Sequence, residues 1–288
     1  MTTTVSPVIA PRSIGSLLRI QRLTLGIPAY VAGAVIIALI LISAFAPLLA
    51  PYSPYAIDPL HTLTSPSAAH LLGADASGRD ILSRLIYGGR SSLLGPTAVV
   101  ALSLIFGIPA GLVAGWRGGA IDQIVSRVSD AILSFPPLLL AIVAAAVYGP
   151  GYTVAILAIA AGYVPLMVRV VRGLVLVERE KLYVASLKCH GISSLAIALR
   201  HVLPNIRRAV AAQSTVNFGY ALIDLAGLAF LGLGVQPPTA DWGAMLAEGR
   251  DSILVSPYET LFAAIMVAIA VVAFNVLGDA LSRSEIGG

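Results

Sequence analysis

Few side chains in this chain could do chemistry, and their spacing narrows what that chemistry is. Asp224 is a single carboxylate inside a long apolar run. An ionisable group there is a functional candidate by default, because hydrocarbon solvates charge poorly. Two readings stand for it. It lines a pathway or meets a cationic part of a solute, or it is structural and pairs with Asn217, Asn275 or a backbone group. The two lysines, Lys181 and Lys188, do not follow glycine, which excludes the phosphate-cradling G-x-x-x-x-G-K-[ST] loop of an ATPase. His61, His70, His190 and His201 are scattered without metal-ligand spacing. Cys189 stands alone, so neither an intrachain disulfide nor a cysteine metal cluster is expected. No Ser-His-Asp or Cys-His set falls on one face, and no paired carboxylates are placed for acid–base work. The expectation is a chain with no catalytic residue, no cofactor and no metal, and not itself an enzyme.

The elements that must position these residues are membrane helices. The 288 residues are 58% hydrophobic and 11% charged, with a mean hydropathy of +0.91. A soluble domain carries about 25% charged residues, so this chain lacks the polar surface to cover a soluble sphere, and lipid is its natural solvent. Six runs qualify as spans: Ile27–Leu49, Leu93–Gly115, Ala131–Tyr148, Tyr152–Val171, Ala209–Leu231 and Thr260–Val276. Backbone groups in lipid must be satisfied within the segment, so the fold class expected is all-α integral membrane with about six transmembrane helices. The third run contains Pro136 and Pro137 and is expected to kink there. The first run follows Arg12, Arg19 and Arg22, as a signal peptide would. Its 23 apolar residues exceed the roughly 7–15 of a signal core, so a retained anchor is expected.

Basic residues set the expected orientation. With the amino terminus inside, 14 of the 18 Lys and Arg fall in cytoplasmic stretches. Both termini are then cytoplasmic. The organisation expected is a cytoplasmic tail over 1–26, the first span with its outer segment over 27–92, and the core membrane domain over 93–288. The net charge of +4 marks a membrane side, not a nucleic-acid surface, because the basic residues cluster between apolar runs.

Three connections are too long for simple turns. The cytoplasmic one reads VEREKLYVASLKCHGISSLAIALRHVLPN from Val177 to Asn205. It is expected to form a helix from about Glu178 to His190, with Glu178 and Glu180 at its positive end and Gly191 as a left-handed cap. Ser193 or Ser194 then caps a second helix, which Pro204 stops. Such an elbow, tied at both ends to spans, is a lever by which a docked partner moves spans four and five together. The plainer reading is a basic loop held against anionic headgroups. In the first connection, Arg79–Arg90 places Ile81, Leu82, Leu85 and Ile86 on one helical face, with Asp80 and Arg84 at pairing spacing. It reads as an interfacial helix that positions the second span. In the last, Trp242, Met245 and Leu246 read as a short helix dipping into the outer mouth of a pore, or as an interfacial aromatic anchor.

The elbow is similar to the cytoplasmic EAA loop of binding-protein-dependent ABC importer permeases. That motif is Glu-Ala-Ala, three residues, Gly, nine residues, then Ile-x-Leu-Pro. Ala185, Ser186 and Leu187 take its first three places, Gly191, Leu203 and Pro204 match, and His201 takes the Ile place. Ala185 stands where the motif has Glu. The run from Arg200 to Asn205 resembles the peptide/nickel branch. So do His70 through Asp80 with Ser83, Arg84, Tyr87 and Gly88, and Phe230 through Pro238 with Asp241, Trp242, Gly243 and Glu248 to Arg250.

The resemblance implies an inner-membrane permease that imports di- or oligopeptides, or nickel or another small solute, by alternating access. It implies that Tyr183, Ala185, Ser186, Leu187, Gly191, His201, Leu203 and Pro204 couple to ATPases; Asp224, Trp242 and Met245 remain candidates for the pathway or gate on their own residue types and positions. The implied partners are a second homologous permease, two ATPase subunits or domains carrying ATP and Mg, an extracytoplasmic binding protein and lipid, with no nucleic acid. Contact with that binding protein becomes a second reading of Arg79–Arg90, and packing against the sister permease a further one of Asp224. Two other classes compete. An ion-coupled secondary transporter predicts an inverted repeat and several intramembrane ionisable groups, and this chain shows one Asp and no repeat. A membrane scaffold needs no elbow.

Overall fold

The computed structural model describes residues 26–286. The tail expected over 1–26, with Arg12, Arg19 and Arg22, lies outside them except for Gly26. The helices in order are α1 Ile27–Ala44, α2 Ala46–Leu49, α3 Ile81–Arg117, α4 Gly119–Leu133, α5 Pro137–Tyr148, α6 Tyr152–Arg179, α7 Leu182–Cys189, α8 Ser194–Ile197, α9 Leu203–Phe230, α10 Trp242–Gly249 and α11 Tyr258–Ile286. Six of them, α1, α3, α5, α6, α9 and α11, run in alternating directions between two ends of one bundle. At the loop end, Arg90 of α3 donates to the Ser43 carbonyl of α1, Tyr152 at the start of α6 meets Ser91, and Arg84 of α3 meets Glu259 of α11. At the elbow end, Arg179 of α6 donates to the Gly115 carbonyl of α3, and Trp116 meets Ser194.

By length and composition, α1, α3, α6 and α11 can each cross a membrane, and α4 with α5 make a fifth span if that pair, bent by 76°, is one. The sixth segment, α9, is as long as α6 at 28 residues but carries Gln213, Asn217 and Asp224. The third expected span needs correcting. It is not one kinked helix over 131–148, because the chain breaks between Leu133 and Pro137. Pro136 bars Phe135 from helical geometry, and neither proline has an N–H to continue the ladder. The second span also changes. It begins at Ile81, so Arg79–Arg90 is the entry into α3 and not a separate interfacial helix. Residue 92, drawn as a boundary, falls inside α3.

Close packing between α3 and α6 rests on missing side chains. Gly107, Gly111 and Gly115 recur every four residues on one face of α3. A Cβ at Gly111 would lie 2.7 Å from the Val168 carbonyl, and one at Gly115 2.9 Å from the Arg172 carbonyl. In lipid no hydrophobic force drives helices together, so van der Waals contact between close backbones must do it. A larger residue on this stripe separates the helices, at a cost of about 1–3 kcal/mol. The same device sets α5 on α6, where Gly162 receives Pro137 at 2.9 Å, and α10 on α9, where Gly243 faces the Ala226 backbone at 2.7 Å.

The loop end is held by buried charge. Arg84 is fully buried, and its Nη1 lies 2.6 Å from Asp75, 2.6 Å from Glu248 and 3.1 Å from Glu259. Arg79 bridges Asp75 at 2.6 Å and Glu248 at 2.5 Å. These contacts pin the connection before α3, α3 itself, α10 and α11 together. The expected Asp80–Arg84 pair is corrected. Asp80 instead caps α3 by accepting from Ser83 N at 2.8 Å, and it holds His70 at 3.0 Å. Arg84 turns to three carboxylates that lie far from it in sequence or outside its helix.

Candidate functional site

The elbow is built by local rules. Gly191 has φ of +76°, the left-handed region that a side chain disfavours. The Ile192 N–H reaches the Leu187 carbonyl at 3.2 Å, and the Gly191 N–H reaches Lys188 at 3.0 Å. This is a Schellman ending for α7. Ser193 is the N-cap of α8. Two expectations need correction. The first elbow helix does not begin at Glu178, because α6 continues to Arg179 and α7 starts at Leu182. Nor does Pro204 stop the second helix. A π-helical stretch over Ala198–Val202 carries the chain from α8 straight into α9, with Pro204 in the first turn of α9. Proline has no N–H to continue the ladder, and the π-helical stretch just before it is where the register shifts to absorb the missing bond.

Glu178 is the root of the elbow. It is a buried carboxylate in the last turn of α6. It accepts from Tyr183 of α7 at 2.9 Å and from Asn205 of α9 at 3.0 Å, with the Lys181 ammonium at 2.6 Å. One side chain therefore ties the end of one span, the elbow and the start of the next. Beneath it, Val184, Ile197, Ala198 and Val202 pack with Leu112, Val171 and Val175 of α3 and α6 in a single apolar cluster, flanked by Tyr183, Leu187 and Leu203. Ala185, Ser186, Gly191 and Pro204 are exposed, His201 is half-buried, and Leu182 and Leu195 are 88% and 69% exposed. The loop residues thus divide into an anchored set and an outward set.

Away from the elbow the expected residues do not converge on one place. Asp224 is half-buried, and its Oδ2 accepts from the Tyr163 hydroxyl of α6 at 2.9 Å. Its partner is not Asn217, Asn275 or a backbone group, as the structural reading supposed. Gln213, Asn217, Tyr220 and Asp224 follow a 4-3-4 spacing, which places them on one stripe of α9. Trp242 and Met245 do lie on a short helix, but neither faces a pore mouth or headgroups. They are 1% and 0% exposed, packed in the core at the loop end. Trp242 Nε1 donates to the Leu85 carbonyl at 2.9 Å. Asp241 caps α10 through the N–H groups of Gly243 and Ala244 and accepts from Ser92 at 2.7 Å. Burial pushes its carboxyl above the ordinary range against those hydrogen bonds.

Two features escaped the sequence reading. By sequence, Glu178 falls at a helix start, where the helix dipole accounts for its charge. The Asp75, Glu248 and Glu259 carboxylates lie within 4.8 Å of one another, a spacing that could hold a metal ion, yet Arg84 and Arg79 already supply cationic charge there. Removing the Glu178 carboxylate leaves the Tyr183 hydroxyl without its acceptor and Asn205 with only the Tyr183 oxygen at 3.2 Å, and a hydrogen bond to a charged group is worth about 1.5–3 kcal/mol. Glu178→Ala should therefore raise amide hydrogen exchange in α7 and α8 by about tenfold or more, while α3 and α11 keep their protection. Unchanged exchange in the elbow would show that Glu178 does not hold it.

Comparison with known proteins places these observations. Residues 107–284 match the binding-protein-dependent transport system inner membrane component family, and residues 28–66 match the N-terminal TM domain of oligopeptide transport permease C. The dipeptide transport system permease protein DppC of Alkalihalophilus pseudofirmus is 41% identical over 252 residues, covering 87% of this chain and 83% of the relative. The glutathione transport system permease protein GsiD of Pectobacterium atrosepticum is 37% identical over 256 residues, covering 88% and 84%. Among solved structures, the MetNI methionine ABC transporter in an inward-facing conformation aligns with a TM-score of 0.59 at 17% identity, over 70% of this chain and 96% of that one, which shows a shared fold. The all-helical bundle, its elbow and these matches agree: the chain is a multi-pass inner-membrane protein and belongs to the family of binding-protein-dependent transport system inner membrane components.

Proposed function

We propose that this permease carries di- or oligopeptides inward by alternating access, driven at the elbow by a separate ATPase. The observation that carries this reading is the one-piece linkage of α6, elbow and α9 through Glu178 and the apolar cluster below it. A push on α7 and α8 is delivered to both helices. Those helices meet again at Tyr163 and Asp224, so motion of the elbow reaches the membrane interior. The exposed Leu182, Leu195 and Leu199, with Ser186, form the surface that the ATPase covers. The assembly pairs this chain with a second permease, two ATPase subunits or domains holding ATP and Mg, and an extracytoplasmic binding protein. ATP binding favours the state in which the pathway opens outward, and hydrolysis returns it inward, because a ligand biases only states it binds differently. The relatives named for dipeptide, D,D-dipeptide and glutathione transport support a peptide cargo over nickel.

The central test is Gly191→Val. Nothing lies within 4 Å of a Cβ at this position, so the variant strains only the backbone, by about 1–2 kcal/mol. The protein should remain in the membrane and peptide uptake should be lost. Normal uptake would sink the elbow as the drive point. Sidedness has its own test at the exposed Cys189. In right-side-out vesicles an impermeant maleimide should leave it unlabelled, and in inverted vesicles it should react. Labelling in right-side-out vesicles would overturn cytoplasmic placement of the elbow.

Asp224 is assigned to the pathway on the strength of its stripe. Tyr220 on that stripe is 56% exposed, and a half-exposed carboxylate in a span does not face lipid. Asp224→Asn keeps the Tyr163 contact and removes the charge. Uptake should fall several-fold at equal membrane level, whereas full uptake would assign Asp224 a packing role.

A further inference from the structure

A cleft of about 340 Å³ opens at the elbow end, bounded by the last turns of α3 and α6 and by α7. Trp116, Arg179, Lys181, Lys188 and Ser194 line it, with Glu180 as its one acid. Two of the three cations are partly engaged. Arg179 donates to the Gly115 carbonyl at 3.0 Å and to Glu180 at 3.2 Å, and Lys181 lies 2.6 Å from Glu178. Lys188 forms no ion pair among the described residues. Its ammonium sits 5.5 Å from the centroid of the Trp116 ring, and Trp116 Nε1 donates to Ser194 at 3.2 Å. The lining at position 185 is alanine, so no carboxylate of α7 neutralises the cleft.

The position of the cleft fixes what can reach it. Trp116 and Arg179 end the two spans that pack most closely, and tryptophan at a span end sits at headgroup level. One turn before Trp116 on α3, Val113 is 41% exposed, an apolar surface for an acyl chain. A soluble protein partner meets Leu182 and Leu195 instead, which project at 88% and 69% exposure. We propose that this cleft binds the headgroup phosphate of an anionic phospholipid, with Lys188 and Lys181 as its charges and an acyl chain along α3. The lipid then tethers the elbow to the membrane plane beside its Glu178 root. This assignment does not depend on the cargo or on the drive point.

The test is native mass spectrometry of the full chain, with any subunits that co-purify, titrated in mild detergent with dioleoyl-phosphatidylglycerol or dioleoyl-phosphatidylcholine. The wild type should retain phosphatidylglycerol about 25-fold better than phosphatidylcholine, since each of the two lysines near a lipid phosphate contributes about fivefold. The double variant Lys181→Gln/Lys188→Gln should lose that preference. Lys188→Arg should keep most of it and Lys188→Gln alone should lose about fivefold, which decides the matter if the double variant aggregates. Equal lipid retention in wild type and Lys188→Gln would overturn the proposal. Displacement of the lipid by millimolar inorganic phosphate would assign the cleft to a free anion instead. A zero-length carbodiimide crosslink from Lys188 to a co-purified ATPase subunit would give it to a protein carboxylate, and would also overturn the proposal.

Discussion

A single buried carboxylate sets the geometry on which this permease depends. Glu178 holds the end of α6, the first residues of α7 and the base of α9 within one hydrogen-bonded group. Removing a carboxylate from water is costly unless its lone pairs are filled, and here a hydroxyl, an amide and an ammonium fill them. That requirement leaves the elbow few places to go. The α7 helix must start where Tyr183 can reach back, and α9 must start where Asn205 can. The apolar cluster below then fixes the tilt. The elbow is held in place because Glu178 and the apolar cluster tie it to α3, α6 and α9.

The opposite end uses charge differently. Arg84 has no access to solvent, and three carboxylates from separate segments surround it. Breaking such a group by removing one member costs about 3–5 kcal/mol, since the rest are left buried and unbalanced. The loop end is thereby fastened as one cap, to which α3, α10 and α11 all contribute. Between the two charged ends the bundle relies on glycine and small residues. In lipid no aqueous hydrophobic effect drives one span against another, and contact distance decides affinity. Charge at the ends and close backbones between them are what the bilayer permits.

How much of this could be read beforehand follows the range of each interaction. Gly191 and Ser193 were legible because helix endings depend on the next few residues. The proline break in the third span was legible for the same reason, although its size was not. A kink was expected, and a 76° bend between two helices is present. Pro204 misled because its effect depends on what precedes it. After a π turn, proline opens a helix as readily as it ends one. Partners distant along the chain were not legible. Arg84 shows Asp80 at helical spacing, while two of its real partners, Glu248 and Glu259, lie 164 and 175 residues away. Asp224 and Tyr163 are 61 residues apart, and nothing in either neighbourhood names the other. The buried place of Trp242 is not legible in the sequence because its ring fills space left by the distant Gly88 and Gly89, at 3.2 and 3.1 Å from where Cβ atoms would lie.

The distribution of tight and loose contacts bears on which parts move in the proposed cycle. The helices α3 and α6 approach to glycine distance over about two turns, and α9 is tied to α6 at the elbow by Glu178 and nearer the loop end by Asp224. These three form one stiff unit. By contrast α5 leaves Val143, Val147 and Tyr148 at 61%, 68% and 79% exposure and is joined to α4 across Pro136 and Pro137, which have no N–H to carry the ladder over the break. A force applied at the elbow therefore turns the stiff unit as a body. The change in shape is taken up where the ladder is already broken, at the proline pair. That places the compliant joint beside α6, at the depth where Gly162 meets Pro137, and lets a small rotation at the elbow alter the surroundings of Asp224 without unfolding any helix.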